Sequence, residues 1–178
     1  MVDLRQEVEE DRGLIKKIQL CIPGFRGYRK KEDLRIADSL LRIQIADSLK
    51  NNLLQPLEQA REAASRELEL DLMNDLAAVI SKAKLSEAKI RHAEQGYSGI
   101  SADVRIGTDE LNKLYEYDLA LIDGINAMGT LASETLKFAE GGDFDTVKKN
   151  LRELKTGFTG FMNIFAKRNT EMAGISAV

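Results

Sequence analysis

Side chains able to do acid–base, nucleophilic or metal chemistry are scarce in this sequence. One histidine, His92, and one cysteine, Cys21, stand among 26 lysines and arginines and 29 aspartates and glutamates. A di-iron carboxylate bundle needs Glu-x-x-His pairs on facing helices, and here Lys89 stands three residues before the single histidine. The same composition removes zinc sites built from histidine and cysteine, and it leaves nucleophilic relays only through His92 itself. In "KIRHAEQG", residues 89 to 96, His92 falls at the end of a helical pattern, where a cation complements the helix dipole. Its expected role is capping. Cys21 has no histidine near it in sequence and reads as a small apolar side chain at a helix end. Carboxylates are abundant, but no spacing singles out one pair, so a carboxylate–metal enzyme ranks last among the readings and no cofactor is implied.

The remaining candidate is electrostatic. In "GFRGYRKK", residues 24 to 31, Arg26, Arg29, Lys30 and Lys31 surround Phe25 and Tyr28 where the next helical pattern begins. Backbone N–H groups at a helix start suit an anion, so these six residues form a hypothetical binding site for phosphates of nucleic acid or for acidic lipid headgroups. The stretch is neither a Walker loop nor a dinucleotide fingerprint. Glu32 and Asp33 follow at once and suit the same helix start, which makes a solvated turn with locally paired charges the plainer reading. A variant of it gathers Phe25, Tyr28, Tyr97, Tyr115 and Tyr117 at one end of a bundle. The cations would then face outward, toward an acidic protein surface.

The elements that must position these residues are helical. Proline occurs twice and tryptophan not at all, a composition that suits long helices better than sheets. Residues 2 to 22 carry Leu4, Val8, Ile15, Ile18 and Ile22 at helical steps, with Asp11 off the pattern; Pro23, Gly24 and Gly27 then define a turn over 23–30. Helical patterning resumes at Lys31 and runs to Gln95, with a kink or fresh start expected at Pro56. Beyond it, Leu57, Ala60, Ala64, Leu68, Leu72, Leu76, Val79 and Ala83 predict one helix of about 40 residues and roughly 60 Å. That length exceeds a globular helix and suggests a coiled-coil arm.

The pentapeptide "IADSL" occurs twice, at 36–40 and 45–49. Nine residues rotate a helix by about two and a half turns, so the copies face opposite ways and no solenoid repeat is implied. Leu34, Ala37, Leu41 and Ile45 line one side, and Ile36, Leu40 and Ile43 line another. A helix so patterned is expected to have neighbours on more than one face.

Residues 96–108, "GYSGISADVRIGT", form a second irregular segment, after which Thr108 or Asp109 caps a helix over 109–140. Leu111, Leu114, Leu121, Ile125, Met128 and Ala132 make its seam, interrupted by Asp118. Gly141 and Gly142 stop it. Over 144–170, Phe144, Val147, Leu151, Leu154, Phe158, Phe161 and Phe165 step without exception, and the short connection makes the two helices antiparallel partners. Gly157 and Gly160 are expected to mark close approach or a kink. Residues 103–145 hold ten acids and three bases, whereas 146–169 hold six bases and one acid, which favours the same pairing.

At "GFRGYRKKEDLRIADSLLR", "RHAEQGYSG" and "DELNKLYEYDLALID" the chain resembles a set of uncharacterised prokaryotic helical proteins. Their recurrent pieces are a Gly-Tyr-x-x-Lys-Glu block followed by Arg and Ala-Asp-x-x-Leu-Arg, a Gly-Tyr-x-Gly turn and a Leu-Tyr-Glu-Phe-Asp-Leu helix. The likeness implies a prokaryotic helical protein and lends no site residues. The expectation is thus an all-α chain, a single domain over 1–178 forming a bundle of about four helices with a long antiparallel coiled-coil-like extension. Its expected role is a non-enzymatic scaffold or protein–protein interaction module. The partner is another protein or a second copy of the chain, ahead of nucleic acid or anionic lipid. With a net charge of −3, a lone cysteine, and neither a signal peptide nor an apolar run of transmembrane length, the expected location is the cytoplasm.

Overall fold

The computed structural model of the protein describes residues 4–25, 31–93 and 108–177. It is all-α: α1 (Leu4–Cys21), α2 (Lys31–Ser48), a π-helical segment (Leu49–Leu54), α3 (Gln55–Arg66), α4 (Leu70–Arg91), α5 (Thr108–Glu140) and α6 (Phe144–Ala177). No described helix is long and apolar enough to cross a membrane.

A fresh α-helix starts at Pro56, as expected, without a turn or loop before it. Pro56 sits at the beginning of α3 directly after the π-helical segment, where the Gln55 N–H donates to the Lys50 carbonyl five residues back. A proline ring in a regular helix collides with the carbonyl four residues before it. The wider π turn changes that register just ahead of the ring, so α2, the π segment and α3 follow one path.

The reversal comes later, at Glu67–Glu69, and the single arm expected beyond Pro56 is instead a hairpin of α3 and α4. The Glu69 N–H donates to the Ala64 carbonyl at 3.0 Å and the Leu68 N–H to the Ser65 carbonyl at 3.2 Å. These two bonds are a Schellman closure, with Leu68 at the left-handed position (φ 59°) where glycine is usual. The α5–α6 turn uses the same device. Asp143 N–H donates to Phe138 O at 2.9 Å and Gly142 N–H to Ala139 O at 3.3 Å, with Gly142 at φ 76°. Asp143 then begins α6, its carboxylate accepting from the Thr146 backbone N–H at 3.1 Å and the Thr146 hydroxyl at 2.7 Å.

The two hairpins pack side by side, α3 along α5 and α4 along α6, while α1 lies against α5. The hairpins are aligned in the same sense. Asp38 and Asp118 share one partner on α6, and further along Asn52 lies against Gly129, where a Cβ would stand 3.3 Å from the Asn52 Cβ. Leu57, Ala60, Ala64, Leu72, Leu76, Val79 and Ala83 are all buried in the common core, and only Leu68 of that stripe is exposed. The apolar stripe of the supposed arm therefore folds onto the chain itself. The seams of α5 and α6 fill the same core, from Leu114 to Ala132 and from Val147 to Phe165. A Cβ on Gly157 would stand 3.4 Å from the Met128 side chain, whereas nothing lies within 4 Å of a Cβ on Gly160.

Candidate functional site: a buried ionic network and an outward apolar strip

Of the six residues of the hypothetical anion site, Phe25 alone has a described side chain. It is 3% exposed and meets Tyr115 edge to face, ring centroids 6.3 Å apart. Phe25 is thus part of the core, held further by the Gln19 amide donating to its carbonyl at 3.1 Å. Burial of this ring against α5 follows from its apolar area and from the favourable T-shaped geometry. Arg26, Tyr28, Arg29 and Lys30, together with Tyr97, lie outside the described residues. Lys31 opens α2, and its side chain is likewise outside them.

One helical turn beyond Tyr115 stands the feature that the sequence reading met only as an interruption. Asp118 is fully buried and accepts a hydrogen bond from Arg168 Nε at 2.5 Å; Arg168, also fully buried, donates through Nη1 to Asp38 at 2.6 Å. The second Asp38 oxygen accepts from Arg42 Nε at 2.9 Å. Arg42 extends further, its Nη1 reaching the Ala93 carbonyl at 3.0 Å and, at longer range, the carbonyls of Ile90 and Arg91. Two guanidinium groups and two carboxylates balance in charge, and the chain of bonds joins α2, α4, α5 and α6.

Each member occupies a position that its helix dictates. Asp118 fills the gap in the α5 seam between Leu114 and Leu121. Arg168 follows Phe165 by three residues, at the next step of the α6 seam, with Met172 buried beyond it. Asp38 and Arg42 are four apart on α2 and meet as helical neighbours. The guanidinium plane of Arg168 offers donors in different directions, which is why one side chain serves carboxylates from two helices. Removing the charges from water is costly, and only complete pairing offsets it.

The cation that serves the C-terminal carbonyls of α4 is therefore Arg42, and not His92. His92 caps with its backbone alone, its N–H donating to the Ala88 carbonyl at 3.0 Å, and its ring is exposed. Nearby, Arg91 binds Asp47 at 2.7 Å and Glu87, and the Asp47 hydrogen bond, followed by that of Glu87, raises the Arg91 guanidinium above its ordinary value. The two "IADSL" copies thus use their aspartates differently: Asp38 inward to Arg168, Asp47 sideways to Arg91. Between the hairpins, Lys155 of α6 pairs with Asp75 of α4 at 3.0 Å, and Lys82 donates to Thr159 at 2.8 Å. Asp118–Arg168 joins α5 to α6 as an ion pair, while Lys155 of α6 turns to α4.

No group of three or more His, Cys, Asp or Glu side chains able to hold a metal ion occurs among the described residues. Cys21 ends α1 and is exposed. The network carries no nucleophile, and its carboxylates are engaged by guanidinium groups, so its chemistry is structural.

The second side of α2 departs from expectation in a way that matters more. Ala37, Leu41 and Ile45 are buried as the pattern predicts; of the other row, Leu40 packs partly against the core, whereas Ile36 and Ile43 are exposed. Ile36 is 56% and Ile43 46% exposed, with Leu40 between them only partly buried. Comparison with protein-family models, with curated proteins and with solved structures gives no match.

Proposed function

We propose that the chain is a non-enzymatic helical module that binds another protein through the outer face of α2. The observation that carries this reading is the pair Ile36 and Ile43, two helical turns apart on α2 and exposed, with the partly buried Leu40 between them. Single exposed apolar side chains are ordinary on protein surfaces. Ile36 and Ile43 stand seven residues apart on one line of α2, the spacing at which a helix receives a neighbour. The ionisable groups of the interior support the same reading, because they join helices to one another and present no reactive atom. An anion-binding role for Arg26, Arg29, Lys30 and Lys31 is the alternative, supported by four cations within six residues of sequence.

A pull-down from prokaryotic lysate, comparing the native chain with Ile36→Asp/Ile43→Asp and with a variant in which all four cations are alanine, separates the two. Loss of a defined protein with the aspartate variant alone is the expected result. Retention there and loss of nucleic acid or lipid with the alanine variant, steeply dependent on salt, would establish the anion reading instead.

A further inference from the structure

We infer that the tip of the α3–α4 hairpin, residues 67–71, is a second docking element, and that its partner is a protein surface with an apolar pocket edged by lysine or arginine. This tip is independent of the α2 face. Leu68 and Leu70 are 79% and 67% exposed, the first at the left-handed position of the turn and the second at the first residue of α4. The Leu70 N–H donates to the Leu68 carbonyl at 2.9 Å across Glu69 (φ −78°, ψ 73°), which is an inverse γ-turn. The Schellman bonds lie on one side of it, and on the other the Met73 N–H donates to the Glu69 carbonyl at 3.0 Å. The backbone that carries both leucines is therefore fixed before any partner arrives, which lowers the cost of binding.

Neither leucine serves the turn that holds it. The apolar contact that accompanies a Schellman turn is made by the second residue past the helix cap, and here that residue is Glu69. Leu68 takes its conformation against its preference, where glycine would be free of strain, and buries little in return. One exposed apolar side chain is ordinary. A strained one, with a second two residues away on a rigid turn, is an anchor presented to a partner.

The charge within the same five residues selects the partner. Glu67, Glu69 and Asp71 alternate with the leucines, and no base follows before Lys82. Among the described residues none of these three carboxylates makes an ion pair, and Arg66, just before them, faces Glu62 at 3.7 Å. Asp71 suits the start of α4. Glu67 does not suit the end of α3, where the helix dipole favours a cation, and Glu69 begins α4 without using its side chain as a cap. The turn of the other hairpin brings no compensating charge, since residues 134–149 hold four acids and three bases. Carboxylates bracketing two apolar anchors are repelled by nucleic acid and by acidic lipid, and they are attracted by a cationic rim.

Photocrosslinking in cells from a diazirine-bearing leucine analogue at position 70 tests this, with the crosslinked peptide sequenced by mass spectrometry. The expected result is one protein adduct whose crosslinked segment carries lysine or arginine beside apolar residues. Glu67→Gln/Glu69→Gln/Asp71→Asn should cut its yield at least about tenfold. Leu68→Gly should cut it as well while raising the melting temperature, so that the loss cannot be assigned to unfolding. A yield that either variant leaves unchanged would overturn the proposal. So would an adduct with lipid, with a second copy of the chain or with a segment that lacks cations, and so would the absence of any adduct. A lower melting temperature for Leu68→Gly would show that the leucine serves the fold, which overturns it too.

Discussion

At the scale of single residues, Arg168 is the position on which most depends. It lies fully buried, bonds to carboxylates from α2 and α5, and sits where the α6 seam calls for an apolar side chain. Arg168→Met leaves Asp38 and Asp118 buried without their shared partner, and the expected loss is about 3–5 kcal/mol, read from urea unfolding. Arg168→Lys should recover little of it, because one ammonium on a flexible stem does not reproduce a planar fork aimed at two carboxylates. A loss under about 1 kcal/mol for Arg168→Met would mean that water reaches the site. Half of this network is legible in the sequence. Asp118 stands out as a break in a strict seam, while Arg168 escapes notice because it follows the last phenylalanine, where a seam can simply end. The two charges become a signal only when the antiparallel pairing places them level, a relation that neither helix carries alone. Arg42 is less visible still, since its carbonyl partners lie about fifty residues away in sequence.

At the scale of elements, the two Schellman turns form a natural pair of opposites. Gly142 takes a left-handed φ without steric cost, and the end of α5 can be read directly from Gly141 and Gly142. Leu68 takes the same conformation against its preference, so the end of α3 has no glycine or proline to announce it, and α3 and α4 read as one long arm. Leu68→Gly should stabilise the fold by about 1 kcal/mol, because 79% exposure leaves little burial to lose. The melting temperature should rise by about 2–4 °C. Gly142→Ala should lower it by a similar amount. Asp143 provides a pH-dependent test of the next helix start. Its hydrogen bonds to Thr146, side chain first and backbone second, hold the carboxyl below its ordinary value. A depressed folded-state value means that the stabilisation is complete above the ordinary aspartate range and is lost as pH falls through the lowered value. Native chain and Asp143→Ala should therefore differ in melting temperature at neutral pH and converge in strong acid. A difference that persisted into acid would assign the effect to helix propensity.

For the whole molecule, the hairpin at Glu67–Glu69 changes what the surface has to offer. An unfolded-back arm would expose Leu57 through Ala83 to a second chain, and the bundle buries that stripe internally. On α2, Ile36 and Ile43 remain exposed; the two-sided pattern is visible in the sequence, while the exposure of these two is visible only in the fold. The pattern of α2 alone predicts a buried central helix. Light scattering across a dilution series should give the mass of one chain; a dimer abolished by Ile36→Asp/Ile43→Asp would make a second copy the occupant of the strip. The most direct measurement is site-specific photocrosslinking in cells, with a benzophenone side chain placed at Ile36, at Ile43 and, as a control of similar exposure, at Leu85 on α4. The same discrete protein adduct is expected from positions 36 and 43, and none from 85. Adducts common to all three positions, or absent from both α2 positions, would contradict a docking face on α2.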